Sequence, residues 1–261
     1  MQIGLIGCGN MARALARGWG RPVLCADPIA ERAQALAQEL GGEAFATNAE
    51  VAERADLIVL CHKPAQLTMV AGEVGKGSTP VASILAVTPL AALRTAYPGR
   101  AVYRFIPSLP VEVRAGAVVQ AAGPGKLAGD ELGGPDPELD AAVAELFAEL
   151  GTLVVLDDSL VDVAMGLMSC APAYVALVAE AQVDAGVRHG IPAVQGAQLV
   201  VQTLAGTAEL LRQRNYDTMA VRREVSSPGG LTARGVDALE RAGLRRAFSD
   251  ALDAVLGEEA R

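Results

Sequence analysis

Gly7, Gly9 and Ala12 stand at the spacing G-x-G-x-x-A within the run Gly7-Cys8-Gly9-Asn10-Met11-Ala12. Ahead of that run, Gln2 to Ile6 is apolar and partly β-branched, which predicts a short buried strand. Behind it, Met11, Ala14, Leu15 and Gly18 share one helical face. In that order, strand then turn then helix, Gly7 permits the tight turn and Gly9 lets a pyrophosphate approach the backbone. Ala12 keeps the helix close to the strand. The free N–H groups and the positive dipole end of the helix then face the phosphates. A second strand, Pro22 to Ala26, delivers Asp27 about 20 residues past the first glycine, where an acid accepts from a ribose 2′-hydroxyl. The chemistry so placed is dinucleotide binding. Asp27 favours NADH over NADPH, and Arg32, one helical turn further on, offers a counter-charge for a 2′-phosphate.

A second group lies far along the chain, in Val225-Ser226-Ser227-Pro228-Gly229-Gly230-Leu231-Thr232. Two helical segments flank a glycine turn, and Thr232 is placed to cap the second of them. The helix-start N–H groups with the hydroxyls of Ser226, Ser227 and Thr232 could hold a small carboxylate. A plain helix–loop–helix corner is the alternative. Acid–base residues are otherwise scarce. The histidines are His62 and His189, and the lysines are Lys63, Lys76 and Lys126. His189 precedes Gly190 at an apparent helix end, where a histidine usually compensates the dipole. His62 follows a strand, so it is placed either to contact nicotinamide or substrate or to serve the fold. Oxidation of a hydroxy acid needs a base for the hydroxyl proton. Reduction of a protonated imine needs mostly orientation of an already electrophilic carbon, and the scarcity fits that reaction better.

The elements that must position these groups follow from periodicity. The helix predicted over Ala30 to Leu40 ends at Gly41-Gly42, and Asp56 to Cys61 is the next clear strand, followed by His62-Lys63-Pro64. Pro80 to Leu85, Ala101 to Ile106, Ala117 to Ala121 and Thr152 to Leu156 are further strands, with an amphipathic helix over Leu139 to Leu150. The alternation predicts an α/β fold: a doubly wound, largely parallel Rossmann-like sheet with ligands at the carboxyl ends of its strands. His62, Lys63, Thr88-Pro89 and Pro107-Ser108 fall at such ends. Gly123 to Asp140, rich in glycine, proline and acids, reads as an exposed loop. From Ser159 onward strands give way to alanine-rich helical periodicity, which places a dinucleotide-binding domain over 1–158 and an all-α domain over 159–261. The helices near 163–189 and 192–214 are apolar on more than one face, which predicts a bundle shared with a second subunit.

Composition narrows the partners. A net charge of −8 and no basic stripe argue against nucleic acid. The most apolar run, Val163 to Ala179, is short for a bilayer and contains Ser169 and Pro172, so it reads as a helix or helix pair buried within protein rather than a membrane span. Cys8, Cys25, Cys61 and Cys170 show no C-x-x-C spacing, and the first strand begins too early for a signal peptide. Reduced thiols in a cytoplasmic protein, with no metal site, are the expectation.

On these residues together the chain resembles the pyrroline-5-carboxylate reductase family from end to end. The landmarks are Gly7 to Ala12; Asp56 to Leu60 with Lys63-Pro64; Arg104 with Pro110 and Val113 to Gly116; Pro172-Ala173-Tyr174 with Glu180; Asp184 to Gly186; Gly190 to Pro192; and Val225 to Gly230 with Thr232. The resemblance implies a Rossmann domain followed by a helical dimerisation domain, and an active site built across two subunits of a homodimer or larger oligomer. There NADH or NADPH reduces the cyclic imine 1-pyrroline-5-carboxylate to L-proline, the last step of proline synthesis. Gly7, Cys8, Gly9, Asn10, Met11 and Ala12 would hold the pyrophosphate, with Asp27, Asn48, His62, Lys63 and Pro64 also on the cofactor. Ser226, Ser227, Gly229, Gly230 and Thr232 would hold the substrate, Thr232 near the ring nitrogen, and Tyr174 would shape the dimer core. Five positions depart from the family pattern: Ser108 stands for an asparagine, Met168 to Ala171 for Ser-Gly-Ser-Gly, and Leu231 for a threonine. His62 replaces a small apolar residue, and the Leu85 to Thr88 turn is one residue short. A reductase of another cyclic imine or small carbonyl acid, or a non-catalytic NAD(P)-binding regulatory dimer, are the alternatives.

Overall fold

The computed structural model describes residues 1–122 and 136–257, and the chain divides into two compact units, Met1–Pro172 and Ala173–Arg261. The first unit runs β1 (Ile3–Ile6), α1 (Asn10–Trp19), β2 (Val23–Ala26), α2 (Ala30–Leu40), β3 (Glu43–Ala44), α3 (Asn48–Arg54), β4 (Leu57–Leu60) and α4 (Leu67–Val74). It continues with β5 (Val81–Ser83), α5 (Leu90–Ala96), β6 (Val102–Pro107), β7 (Gly116–Ala121), α6 (Pro137–Ala148), β8 (Gly151–Leu156) and α7 (Val161–Met168). The strands form one eight-stranded sheet in the order β3-β2-β1-β4-β5-β6-β7-β8. Every pairing is parallel except β6 with β7. The fold is therefore the doubly wound α/β sheet that the alternation predicts, with a helical region after it.

Strand alternation builds two cores, one per sheet face. Ile3, Leu5, Leu57 and Val59 point into a cluster with Trp19, Phe105 and Phe147, while Ile6, Ile58 and Leu60 point into another with Val81 and Tyr97. Covering both faces explains why β1, β2, β4 and β5 are buried throughout and read as continuous apolar runs. Aromatics are few but concentrated: Phe105 stacks on Phe147 with centroids 3.8 Å apart, and Trp19 donates from Nε1 to the Leu146 carbonyl at 2.8 Å. That bond satisfies the indole N–H while its ring fills the core beneath α1.

The two-residue β3 and helices α3 to α5 have no counterpart in the sequence reading. The loop predicted over Gly123 to Asp140 lies largely outside the described residues, and its end is helical instead. Asp136 caps α6 by accepting from the N–H groups of Glu138 and Leu139, with Pro137 in the first turn.

The sequence pattern changes near residue 158, whereas compactness divides the chain after Pro172. The intervening segment is anchored by Arg104 on β6, a fully buried guanidinium. Its two terminal nitrogens donate to Asp158 Oδ1 at 2.8 Å and Asp162 Oδ1 at 2.5 Å. The other Asp158 carboxylate oxygen accepts from the Leu90 N–H at the start of α5. These bonds tie α7 to the sheet.

The second unit takes up most of α8 (Ala171–Arg188), followed by α9 (Ala193–Gln213), α10 (Thr218–Val225), α11 (Leu231–Arg241) and α12 (Leu244–Leu256). The helix or helix pair expected around Val163 to Ala179 is present as α7 and α8, of which α7 buries Val161, Ala164 and Gly166 while α8 is not buried within the chain. No residue of α8 is buried, and Leu177 is 64% exposed.

Candidate functional site

In the first unit the register sets Ile6 beside both Ala26 and Leu60, so β1, β2 and β4 end flush. The next residues, Gly7, Asp27 and Cys61, therefore leave one edge of the sheet together. The chain winds outward from β1 through β2 to β3 and then crosses to β4 on the other side of β1, and such a switch point opens a crevice at the carboxyl ends. A cavity of about 780 Å³ lies there, a size suited to a cofactor.

Its floor is the glycine turn. Gly7 has φ +94°, and a Cβ on it would lie 2.9 Å from the Cys61 carbonyl and the His62 nitrogen. Glycine is thus required by the close approach of the turn to β4. Gly9 differs. A Cβ there meets nothing within 4 Å, so the space over its backbone is open to a ligand. Gly9 is also the N-cap of α1, with no side chain engaging the first N–H groups. A glycine held against the sheet, an open glycine after it and an uncapped helix start behind the cavity wall are the features a diphosphate requires.

The walls come from strand ends and capped helices. Asp27 lines the cavity with both carboxylate oxygens engaged: Oδ2 accepts from the Cys8 N–H at 2.7 Å and Oδ1 from the Ile29 N–H at 2.8 Å. It fastens the glycine turn to β2 while leaving its charge at the ribose end. Arg32 on α2 shares that end and has no carboxylate partner among the described residues. Thr47 caps α3, its hydroxyl accepting from the Glu50 N–H while the Glu50 carboxylate accepts from the Thr47 N–H. This box fixes Asn48, whose Nδ2 donates to Glu73 Oε2 on α4 at 2.6 Å. Lys63 precedes proline and is extended, and its N–H donates to Gln66 Oε1 across the turn that begins at Pro64.

Of the sequence-derived set, Gly7, Gly9, Asn10, Met11, Asp27, Asn48, His62, Lys63 and Pro64 line this one cavity. Cys8 and Ala12 do not. Both are 1% exposed and face the core, so Cys8 contributes its backbone while its thiol lies toward the Ala26 carbonyl at 3.7 Å. The hydrogen bond with Cys25 and burial push the Cys8 thiol up, and burial pushes Cys61 up, so neither is a thiolate nucleophile. Among the described residues no group of three or more His, Cys, Asp or Glu is placed to hold a metal ion.

Pro107 lines the cavity, but Ser108, Thr88 and Pro89 do not. Ser108 is 3% exposed, and its hydroxyl accepts from the Ala117 N–H where β6 turns toward β7. Its departure from the family pattern is therefore a matter of the turn.

The sequence reading carries a strand through Leu85 and notes the Leu85 to Thr88 turn but leaves Ile84 to Ala86 out of its cofactor residues, which the carboxyl-end rule would have supplied. It also omits Met69 and Glu73 on α4 and Met165 on α7, while Ser169, within the altered Met168 to Ala171 run, does line the cavity. Ser169 donates to the Pro107 carbonyl at 3.0 Å, which holds the end of α7 at the cavity wall.

Comparison with known proteins now bears on this geometry. Residues 158–260 match the family model for pyrroline-5-carboxylate reductase dimerisation, and residues 2–88 match that for coenzyme F420-dependent NADP oxidoreductases. The pyrroline-5-carboxylate reductase of Synechocystis sp. is 32% identical, over 97% of this chain and 95% of that protein. The chain belongs to the pyrroline-5-carboxylate reductase family. The 1-pyrroline-5-carboxylate reductase of Streptococcus pyogenes superposes with a TM-score of 0.85 at 26% identity, covering 99% of this chain and 97% of that one. A Plasmodium falciparum pyrroline carboxylate reductase with NADP bound shares the fold at a TM-score of 0.81 and 23% identity, over 98% and 95% of the two chains. The family's dimerisation domain thus begins at the segment anchored by Arg104.

The second group of sequence-derived residues lies in the other unit. Ser226 ends α10 and is half-buried, while Ser227, Gly229 and Thr232 are exposed. Gly229 has φ +71°, and the Gly230 N–H donates to the Ser227 carbonyl at 3.0 Å, closing the turn. The cap of α11 is Gly230 and not Thr232, which sits inside the first turn. Gly230 leaves the first N–H groups without a side-chain acceptor, so they stay available together with the Thr232 hydroxyl.

Proposed function

We propose that this chain reduces 1-pyrroline-5-carboxylate to L-proline with NAD(P)H, as its family relatives are named for doing. The observation that carries the reading is the joining, in one chain, of a switch-point cavity floored by Gly7 and Gly9 to the uncapped Ser226–Thr232 turn of the dimerisation domain. Bound NAD(P)H supplies the hydride. The turn from Gly7 to Ala12 orients the pyrophosphate through its backbone, and Asn48, His62, Lys63 and Pro64 bound the rest of the cofactor. Ser226, Ser227, Gly229 and Gly230 hold the substrate carboxylate, and the Thr232 hydroxyl faces the ring nitrogen. The iminium carbon needs no base to accept hydride, which agrees with a cavity poor in acid–base groups.

The unit holding Ser226 to Thr232 has almost no buried residues of its own. The active site is therefore completed by subunit association through the C-terminal helices. The exposed apolar residues of α8 and α9, Leu177, Leu199 and Val201 among them, support that arrangement over a membrane span, although Asp158–Arg188 meets the length and hydropathy of one. Asp27 keeps its negative charge at the ribose end and favours NADH, with Arg32 as the group that admits NADPH. The four free thiols fit a reducing, cytoplasmic setting.

Loss of absorbance from NADH and from NADPH, followed separately with 1-pyrroline-5-carboxylate, tests the reaction. Rapid oxidation is expected. Binding of dinucleotide without oxidation would instead favour the non-catalytic alternative. Replacing Thr232 by Ala should lower kcat/KM by roughly 10- to 100-fold with dinucleotide affinity unchanged, because the hydroxyl touches substrate alone.

A further inference from the structure

His62 carries an unpaired acceptor that the fold does not use. Its Nδ1 lies 2.9 Å from the Lys63 carbonyl oxygen, and a carbonyl can only accept, so Nδ1 bears the proton. In the neutral ring Nε2 is then a lone-pair acceptor. It is shut off from solvent, and it finds no partner among the described residues. A buried acceptor left unpaired is destabilising, and the residue that bears it lines the dinucleotide cavity directly after the strand that backs Gly7.

We infer that His62, held as the Nδ1-protonated neutral imidazole, presents Nε2 as the hydrogen-bond acceptor for an O–H or N–H donor of the bound dinucleotide. The inference rests on the dinucleotide reading of the cavity. The ring is prearranged for this by its own backbone: extension of Lys63 before Pro64 aims the Lys63 carbonyl at Nδ1 and fixes the tautomer. Burial holds the imidazole below its ordinary pKa, with the Lys63 carbonyl and Glu73 opposing, so the acceptor form prevails at neutral pH. The charged groups sharing the cavity are Glu73 on α4, Asp27 after β2, Arg32 on α2 and Lys63 beside the ring. Burial pushes the neighbouring Cys61 thiol up, away from neutrality, and His62 is the imidazole among these groups, the side-chain type whose charge changes between pH 5 and 8.

The test is equilibrium binding of NADH and NADPH, read by nicotinamide fluorescence, to the wild type, His62→Leu and His62→Gln. His62→Leu should weaken binding about tenfold, the worth of one hydrogen bond, and His62→Gln, which keeps an acceptor, should recover part of it. In the wild type, affinity should fall as pH drops through the His62 pKa, because protonation turns the acceptor into a donor. That fall should vanish in His62→Leu. Equal affinity of wild type and His62→Leu overturns the inference, as does affinity that rises on acidification, which marks an imidazolium paired with the diphosphate. ADP-ribose locates the donor: a matching loss with this fragment places it on the adenosine diphosphate ribose half, and loss with NADH and NADPH alone places it on the nicotinamide carboxamide. Wild type that binds neither NADH nor NADPH would instead remove the dinucleotide reading itself. Circular dichroism of each variant confirms that the fold compared is the same.

Discussion

The two units of this chain satisfy their apolar residues in opposite ways. In Met1–Pro172 the strands that meet the cavity are buried end to end, and two clusters fill the two faces of the sheet. In Ala173–Arg261, Gly196 on α9 and Val221 on α10 are the buried helical residues. Leu199 and Val201 remain 62% and 60% exposed, and α11 and α12 bury none. A fully buried leucine or valine contributes about 1.5–3 kcal/mol, so the second unit forgoes most of its stabilisation until another surface covers it. The first unit owns its core; the second borrows one. This is the condition in which folding and subunit association are a single equilibrium.

The sharpest way to break the contrast is a charge on α8, in the proposed interface. Leu177→Arg should convert the oligomer to monomer by light scattering, with helical signal lost and kcat/KM lowered by more than about 100-fold. NADH or NADPH binding by the first unit should survive within about threefold. A variant that stays oligomeric and active would mean that α8 faces solvent in the assembled enzyme.

The converse perturbation falls on Arg104. Arg104→Met leaves Asp158 and Asp162 facing apolar surface and frees α7 from the sheet. Removing one partner of a buried pair costs about 3–5 kcal/mol. Here the lower end applies, because the two aspartates keep 26% and 32% of their side-chain surface in water. Denaturant titration should show the loss in the transition of the first unit. An unchanged midpoint would mean that α7 is held by apolar packing alone.

Much of the first unit is legible in the sequence because its signals are local. Gly7 to Ala12 combine a strand, a turn and a helix within one stretch, and Asp27 follows at a fixed distance. Ile84 to Ala86 follow a strand of three residues, too short for alternation to show which of them turn toward the cavity. Met165 is beyond reach for another reason, and Ser169 stands out only as part of the altered Met168 to Ala171 run. Their segment reads as part of the helical domain, and a long-range ion pair to Arg104 assigns it to the sheet. Thr232 looks like a cap because threonine commonly is one, whereas the extended backbone of Gly230 takes that place. His62 shows the limit most plainly, since no spacing reveals that one ring nitrogen is paired and the other is not.

The glycine pair sharpens the comparison at smaller scale, separating a fold requirement from a ligand requirement within one turn. Gly7→Ala places a methyl against the backbone after β4 at positive φ, and should cost about 1–3 kcal/mol in stability as well as dinucleotide affinity. Gly9→Ala meets no atom of the protein. Its stability should stay within about 0.5 kcal/mol of wild type, while NADH and NADPH affinity falls about tenfold or more through contact of the methyl with the phosphates. Calorimetry with and without dinucleotide separates the two. Equal loss of stability in both would show that the turn is shaped by the fold alone.

The smallest expected effect is a gain. Val87 sits at φ +52° in the turn between β5 and α5, is 70% exposed, and is β-branched, the side-chain type least suited to that backbone. The turn is held by the Thr88 hydroxyl donating to the Ala86 carbonyl at 2.9 Å, and Ala86 lines the cavity. Strain of about 1–3 kcal/mol is typical of such a residue, and glycine removes it while adding freedom to the unfolded chain. Val87→Gly should therefore stabilise the first unit by about 0.5–1 kcal/mol net, with oligomeric state unchanged. A gain in stability accompanied by weaker dinucleotide binding would show that the strain serves to hold Ala86 against the ligand. A loss of stability would mean that Val87 is favoured there by packing that outweighs its backbone.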